Sequence, residues 1–168
     1  MSKLNYTDYS NNDYRNITPK ISIISTIFNK SRYLNRLIKS VKKQMMEEFE
    51  LILIDDFSED DSVEIIKKIK RYDNRIKLIK NKKNKGTFFS RITGALLSKG
   101  EYIIWVDPDD IILQKGLYNA YNHIKKYDLS IVQFNSLIQI NDKISIKYQE
   151  NLFPDIVNQP FLLHYGIN

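Results

Sequence analysis

Three carboxylates directly follow a short apolar run in the middle of the chain. Residues 102–106 read Tyr-Ile-Ile-Trp-Val, and Asp107, Asp109 and Asp110 come next. Such a run predicts a strand buried on both faces, Trp105 included, with the acids where the strand leaves the sheet. Crowded carboxylates repel one another unless a cation or a proton offsets their charge. The pattern therefore predicts Mg²⁺ or Mn²⁺ carrying a phosphate-bearing ligand, and a polar strand-to-loop turn is the simpler alternative.

A second acidic pair follows another apolar run. Residues 49–54 have the composition of a buried strand, and Asp55 and Asp56 come directly after it. In a sheet of parallel strands the carboxyl ends share one edge, so both acidic groups can line one crevice. Unpaired carboxylates gathered there would cost stability without a ligand. The two groups together indicate a ligand site more strongly than either does alone.

Basic residues follow the next predicted strand, and we expect them at the same edge. Residues 82–86 read Lys-Lys-Asn-Lys-Gly, so Lys85 precedes Gly86, which permits close approach of the backbone. Arg91 comes about one turn into the next predicted helix, where its planar guanidinium could reach a phosphate. Acids that bind a metal and bases that bind phosphate would then converge. This arrangement suits a nucleoside diphosphate.

Strands alternate with helical patterns as far as residue 110, which predicts an α/β fold: a mostly parallel sheet with helices on both faces. The predicted strands are 21–29, 49–54, 76–79 and 102–106. The predicted helices are 31–44 and 88–98, and a third helix between them is capped by Asp60 or Asp61 and ends near residue 70. Beyond them we expect a helix near 114–127 and a strand pair at 129–139 and 143–148. The sequence gives no assignment for the structure after residue 150.

The 168 residues suffice for one domain with a single core. We expect a flexible arm over 1–18, the main domain over 19–150 and a tail over 151–168. No apolar run approaches the roughly 20 residues of a membrane-spanning helix, and the first 18 residues lack the layout of a signal peptide. With no cysteine in the chain as well, we expect a cytoplasmic protein.

The net charge of +6 is concentrated in one stretch. Between Lys67 and Lys85 there are ten basic residues and one acid, Asp73. Such a patch can attract nucleic acid, an anionic membrane or an anionic ligand, and a solvated face is the simpler alternative. Aromatic residues are not interleaved with this run as stacking surfaces would be, which disfavours nucleic-acid binding.

A series of short motifs occurs in order between residues 20 and 110. They are Thr26-Ile27-Phe28-Asn29, then Tyr33, Leu34, Leu37, Ser40 and Gln44, then Asp55-Asp56-Phe57-Ser58, then Asn84, Gly86, Ser90-Arg91-Ile92 and Gly94, then Lys99-Gly100-Glu101-Tyr102, and finally Asp107-Pro108-Asp109-Asp110. In these motifs the chain resembles the nucleotide-sugar-binding half of the family 2 glycosyltransferases, which have the Rossmann-like GT-A fold. It departs from the family pattern at Thr26 (usually Pro), Phe57 (usually Gly) and Ile92 (usually Asn).

The resemblance implies a binding site for a sugar nucleotide, most often a UDP-sugar. Asp55 or Asp56 would accept a hydrogen bond from the base near Thr26 and Phe28, with Asn29 in the same motif.

The resemblance also implies how the rest of the donor is held. Lys85, Gly86 and Arg91 would lie by the ribose or the diphosphate. Asp107 and Asp109 would hold the sugar nucleotide through Mn²⁺ or Mg²⁺, with Asp109 the more direct ligand. The tail over 151–168 would be the start of a truncated acceptor part.

The predicted function is transfer of the sugar, with inversion, to an unknown glycan, protein or lipid acceptor. The family places its catalytic base on the acceptor side, and no base motif follows Asp110, so the catalytic residue is unassigned. The alternatives are an inactive module that binds a nucleotide sugar and a basic surface-interaction module that binds nucleic acid. Aspartyl-phosphate phosphohydrolases also use an Asp-x-Asp motif, but after their first strand, whereas here it follows the fourth.

Overall fold

The computed structural model describes residues 6–8, 18–130, 134–140, 143–147 and 157–165. In chain order the elements are β1 (Tyr6–Asp8), β2 (Ile21–Ile27), α1 (Ser31–Lys42), β3 (Phe49–Asp55), α2 (Ser62–Lys70), β4 (Ile76–Asn81), α3 (Thr87–Leu97), β5 (Tyr102–Trp105), β6 (Asp110–Ile112), α4 (Gly116–Tyr127), β7 (Phe134–Ile140), β8 (Lys143–Lys147) and β9 (Val157–Tyr165). The predicted strands and helices up to residue 127 occur within two residues of their predicted bounds.

The chain divides into two compact units. Unit 1 comprises Met1–Asn35 and Glu48–Pro108, and unit 2 comprises Arg36–Glu47 and Asp109–Asn168. This division does not follow the boundaries expected at 18/19 and 150/151, which stay a prediction.

Unit 1 carries a five-stranded sheet in the order β1-β4-β3-β2-β5. Strands β2 to β5 run parallel, and β1 pairs antiparallel with β4. β2 lies between β3 and β5, with Ile27 opposite Asp55 and Ile24 opposite Trp105. The carboxyl ends of the parallel strands therefore meet at one edge, as the sequence predicts.

The centre of this sheet is buried on both faces, and most residues of β2 and β3 are apolar. Every residue of β3 is buried. On one face Ile24, Ile52 and Ile54 pack with Ile79, and α3 adds partly buried side chains to this cluster. A Cβ on Gly94 of α3 would lie 2.4 Å from Cγ2 of Ile24, so the glycine lets the helix approach the sheet closely.

The prediction that 102–106 is buried on both faces, with Trp105 inside, is wrong. β5 lies at the edge of the sheet, and among the described strands it pairs with β2 alone. Ile103 is 36% exposed and Trp105 49% exposed, while Val106 is buried. A short apolar run predicts a strand, but an edge strand and a central strand differ in their neighbours, which the run itself does not encode.

Within the expected flexible arm, Tyr6–Asp8 forms β1 along the outer edge of β4. The other residues of 1–18, apart from Thr18, lie outside the described residues.

Unit 2 carries a four-stranded sheet in the order β6-β9-β7-β8. β7 and β8 are antiparallel, which confirms the predicted strand pair. The predicted start of its first strand at 129 is wrong, because residues 129–130 are not in a strand, and residues 131–133 and 141–142 lie outside the described part. β9 runs parallel to β7 and antiparallel to β6. It lies in the segment after residue 150, whose structure is not predicted from the sequence.

In unit 2, the side chains of Ser40 in α1 and Gln44 just after it bind the backbone from the end of β6 to the start of α4. The amide Nε2 of Gln44 donates to the carbonyls of Ile112 (3.2 Å) and Leu113 (2.9 Å), and its Oε1 accepts from the backbone N–H of Leu117 at 3.1 Å. The hydroxyl of Ser40 accepts from the backbone N–H of Ile112 at 3.1 Å. These two motif residues therefore have a structural role here.

Gly100 gives a prediction about the stability of unit 1. A Cβ at this position would lie 2.5 Å from the backbone N of Ser22 in β2, a central strand that cannot easily shift. We expect Gly100→Ala to lower the free energy of unfolding by about 1–3 kcal/mol through overpacking. Urea denaturation measures the change, and Lys99→Ala, next to it and exposed, should stay within about 0.5 kcal/mol of the wild type. A Gly100→Ala protein as stable as the Lys99→Ala protein would contradict this.

Candidate functional site

Residues predicted to bind a ligand gather at the carboxyl edge of the unit 1 sheet. Thr26 is half-buried near the end of β2, and Phe28 and Asn29 follow that strand and are exposed. Asp55 ends β3 and Asp56 follows it, both buried. Lys85 and Gly86 come after β4, just before α3, and both are half-buried.

Asp56 organises the loop between β4 and α3. Its Oδ1 accepts hydrogen bonds from Nδ2 of Asn81 at 2.7 Å and from the backbone N–H of Lys85 at 2.9 Å. Its Oδ2 accepts from the backbone N–H of Gly86 at 2.8 Å. Gly86 has φ of 82°, a left-handed conformation that suits glycine. One buried carboxylate therefore fixes the loop that carries the predicted phosphate-binding residues.

Asn81 belongs to the same network, and the sequence analysis missed it. Its Nδ2 also donates to the hydroxyl of Ser90 in α3 at 3.0 Å, which ties the helix to the strand end. Asn81 is fully buried, and its Oδ1 has no hydrogen-bond partner among the described residues. The available signal was its place as a polar residue at the end of an apolar strand.

Asp55 has a different environment from its neighbour. It is fully buried, its Oδ1 accepts from the backbone N–H of Ser58 at 3.3 Å, and its Oδ2 has no partner in the described part of the chain. Burial raises the pKa of Asp55 above its ordinary value, against the lowering effects of Ser58 and of Lys80. The charged form of Asp55 is therefore less favourable than that of an ordinary aspartate.

The turns after β2 and β3 are linked by side chains. The backbone N–H of Asn29 donates to the hydroxyl of Ser58 at 3.1 Å, and Oδ1 of Asn29 accepts from the backbone N–H of Glu59 at 2.9 Å. Asn29 and Phe57 both adopt left-handed backbone conformations, with φ of 51° and 71°. Phe28 is 47% exposed and Phe57 is 44% exposed, so aromatic rings face solvent on both turns.

Asp60 secures the two helices that begin at this edge. Its Oδ2 accepts from the backbone N–H of Ser31 at 2.9 Å and its Oδ1 from that of Ser62 at 3.0 Å. Burial acts to raise the pKa of Asp60, but the hydrogen bonds from Ser62 and Ser31 outweigh it and hold the pKa below its ordinary value. The N-cap residue of α2 is Asp61, whose side chain makes no capping hydrogen bond, and Asp60 instead binds the first N–H of both α2 and α1.

Arg91 and Asp107 are brought together, which the sequence analysis did not anticipate. Nη2 of Arg91 lies 2.8 Å from Oδ1 of Asp107, and the two side chains are 43% and 50% exposed. The predicted phosphate-binding base thus contacts one of the two predicted metal ligands. Asp109 and Asp110 belong to unit 2, and both are buried.

No cluster of three or more histidine or acidic side chains with metal-binding geometry occurs in the described ranges. Mg²⁺ is often held by one or two carboxylates together with substrate phosphates and water, so the half-exposed carboxylate of Asp107 in unit 1 fits the chemistry of such an ion. A search of the described helices finds none with the length and apolar character needed to cross a membrane.

The chain is similar in sequence to known proteins. The chain matches the model of glycosyl transferase family 2 over residues 22–165. It is 32% identical to the glycosyltransferase GlyG of Streptococcus pneumoniae over 112 residues, which cover 67% of this chain and 37% of that protein. It is 36% identical to the poly(ribitol-phosphate) β-N-acetylglucosaminyltransferase TarP of Staphylococcus aureus over 116 residues, 67% of this chain and 35% of that one. The chain thus spans little more than a third of these two relatives.

Solved structures with the same fold include that of S. aureus TarS 1–349, with a TM-score of 0.71 and 25% identity over 80% of this chain and 40% of that one. The structure of TarS 1–349 in complex with UDP-GlcNAc has a TM-score of 0.69 and 25% identity, over 80% of this chain and 38% of TarS. This likeness confirms the predicted GT-A fold.

Proposed function

The chain belongs to glycosyl transferase family 2, and on that premise we propose that it binds a UDP-sugar and serves the transfer of that sugar, with inversion, to an acceptor. The observation that carries the proposal is the Asp56 network, which holds Lys85 and Gly86 at the carboxyl edge of the sheet, the edge at which the exposed Phe28 follows β2. Ligands of open α/β sheets bind at this edge. The solved complexes of TarS with UDP and UDP-GlcNAc support a uracil nucleotide.

The base would lie against Phe28 and near Thr26 and Asn29. Exposed aromatic rings bind bases by stacking, which accepts any base, so a hydrogen bond must select uracil. A carboxylate has about four acceptor positions, and Asp56 uses three of them within the loop. It therefore retains an acceptor for the N–H of uracil. Asp55 is the weaker candidate, because its raised pKa disfavours the charged form that accepts a hydrogen bond best.

The diphosphate would lie between the loop 82–86 and the start of α3. Lys85 and Arg91 supply positive charge, and a helix N-terminus presents backbone N–H groups to an anion. Arg91 is held by Asp107 at 2.8 Å. Because this ion pair is half-exposed and therefore weak, a diphosphate can take Arg91 from Asp107 at little cost.

Asp107 and Asp109 would hold a divalent cation, Mn²⁺ or Mg²⁺. When bound, such an ion supplies positive charge that stabilises the leaving diphosphate. Release of Arg91 to the diphosphate would leave the Asp107 carboxylate available as a ligand. The mannosyltransferase PcManGT of Pyrobaculum calidifontis has been solved with GDP-mannose and Mn²⁺, and its TM-score with this chain is 0.59 at 14% identity, a likeness in fold alone.

Inversion requires a base that takes the proton of the acceptor hydroxyl, and that residue stays unassigned. The acceptor, a glycan, protein or lipid, is likewise unidentified, and a cytoplasmic location stays a prediction.

Calorimetric titration tests the proposal. UDP, GDP and a panel of UDP-sugars are titrated with Mn²⁺ and with EDTA, and we expect uracil nucleotides to bind at least about tenfold more tightly with the metal, an interaction of about 1.4 kcal/mol. Asp109→Asn should remove this dependence on metal. Asp128→Asn makes the same chemical change at the exposed C-cap of α4, whose left-handed φ of 52° asparagine tolerates, and should behave as the wild type.

Absence of nucleotide binding in the presence of Mn²⁺ would rule out the donor site. If UDP bound as tightly with EDTA as with Mn²⁺, the metal site would be ruled out but the donor site would stand.

A further inference from the structure

Phe28 and Phe57 occupy equivalent places on two neighbouring turns. The backbone N–H of Asp56 donates to the carbonyl of Ile27 at 2.8 Å, and the backbone N–H of Asn29 donates to the hydroxyl of Ser58 at 3.1 Å. Phe28 lies between the two contacts on the β2 side, and Phe57 lies between them on the β3 side. Neighbouring strands are about 4.8 Å apart, so the two residues lie on adjacent turns at the same sheet edge.

The backbone at Phe57 is strained. Its φ of 71° is in the left-handed region, where the Cβ of an ordinary residue approaches the backbone too closely. Asn29 has a similar φ, but an asparagine side chain tolerates this conformation, and here it is further held by its hydrogen bond to Glu59. Phe57 is the residue for which glycine is usual in the resembling family. Glycine would adopt the same φ without strain.

Burial of the rest of Phe57, which is 44% exposed, is comparable in size with the strain, so the packing gives little net gain. Glycine would hold the turn about as well, without an exposed aromatic ring. Backbone strain of this kind concentrates at ligand sites, where the side chain serves binding. The neighbouring Phe28 is exposed to a similar degree, at 47%, and is the residue at which the base is proposed to stack.

We propose that Phe57 is a second aromatic surface for the nucleobase, which then lies against both Phe28 and Phe57. This inference rests on the proposed donor site and adds a residue that determines how tightly the base is held. Aromatic rings bind the flat face of a base by stacking and dispersion. The residue thus strengthens binding to the base portion of the donor and leaves the diphosphate portion unaffected.

The experiment compares UDP with pyrophosphate as ligands, both with Mn²⁺, on wild type, Phe57→Gly, Phe57→Leu and Phe57→Tyr. We expect Phe57→Gly to weaken UDP binding about tenfold while pyrophosphate binding is unchanged, a loss within the range that removal of a stacking ring produces. The melting temperature of Phe57→Gly should stay near that of the wild type, because relief of the strain offsets the lost packing. Weaker base binding in a protein that folds as stably as the wild type is the specific signature of this role.

The other variants separate the ring from the turn. Phe57→Leu keeps a bulky side chain on the strained backbone, so it should melt near the wild type and still bind UDP about tenfold more weakly. Phe57→Tyr keeps an aromatic ring and should bind UDP as the wild type does. Tyr72→Leu removes an exposed aromatic ring shortly before β4, at the opposite edge of the sheet. It should leave the affinities for UDP and for pyrophosphate unchanged.

The outcomes distinguish this inference from the proposed function. Wild type that binds UDP, with Phe57→Gly and Phe57→Leu binding it equally well, overturns the role of Phe57 and leaves the donor site intact. An equal loss of UDP and pyrophosphate binding also overturns it, because the effect would not concern the base. Failure of the wild type to bind UDP overturns the donor site and the role of Phe57 together.

Discussion

Lys77→Met is expected to lower the free energy of unfolding by about 3–5 kcal/mol, because it leaves a buried carboxylate without its counter-charge. Nζ of Lys77 lies 2.5 Å from Oε2 of Glu50, and the two side chains are only 7% and 4% exposed. The other oxygen of Glu50 accepts from the hydroxyl of Ser22 and from the backbone N–H of Lys99, each at 2.6 Å. These neutral donors orient the carboxylate but do not neutralise it.

Chemical denaturation of a small set of variants measures this effect. Lys67→Met removes the same charge from the exposed pair of Lys67 with Glu64 on α2 and should change stability by less than about 1 kcal/mol. The double variant Glu50→Gln with Lys77→Met removes both charges, so it should be more stable than Lys77→Met alone. If Lys77→Met and Lys67→Met had the same free energy of unfolding, the buried pair would stabilise the fold no more than the exposed pair does.

The same pair shows where sequence reasoning ends. Glu50 and Lys77 each stand within an apolar strand, at places that a sequence pattern cannot distinguish from solvent-facing positions. Their contact depends on the pairing of β3 with β4 and on the burial of both side chains at that end of the sheet. Strand composition is a local property, and it predicted the strands well. Contacts between strands are distant in sequence, and a single sequence taken by itself does not reveal them.

In the candidate site too, the residues were predicted from the sequence but their contacts were not. The acids after β3 and β5, and the loop that ends at Gly86, were predicted because each follows an apolar run. What was missed are the partners: Asn81 as the link between Asp56 and α3, and Asp107 as the partner of Arg91. The edge position of β5 was missed because an apolar run predicts a strand without predicting which strands lie beside it.

Asp56→Asn is expected to weaken UDP binding roughly 30- to 150-fold, an effect of about 2–3 kcal/mol. The amide has one acceptor oxygen where the carboxylate has two. Its NH₂ group must therefore face either the backbone N–H of Gly86 or the donors from Asn81 and Lys85, and donor then meets donor. The loop loses at least one anchoring hydrogen bond to a charged acceptor. It is then held in its binding conformation for a smaller fraction of the time.

Asp55→Asn is the matched control, since it makes the same change one residue away at a carboxyl that binds no part of this loop among the described contacts. Because the folded-state pKa of Asp55 is raised, its contribution to stability is present below the unfolded pKa and is lost as the pH rises through the folded value. Asp55→Asn should remove that decline at higher pH while leaving the loop in place.

Amide hydrogen exchange at Lys85 and Gly86 distinguishes the two carboxylates. These two N–H groups are bound to Asp56 at 2.9 and 2.8 Å, so in Asp56→Asn they should exchange faster, in parallel with the loss of UDP affinity. In Asp55→Asn both amides should keep their protection. If instead Asp56→Asn lost UDP affinity with both amides still protected, the carboxylate would act on the base directly and not through the loop. If neither property changed, the Asp56 network would have no part in binding, and the donor site would have to be sought elsewhere on the sheet edge.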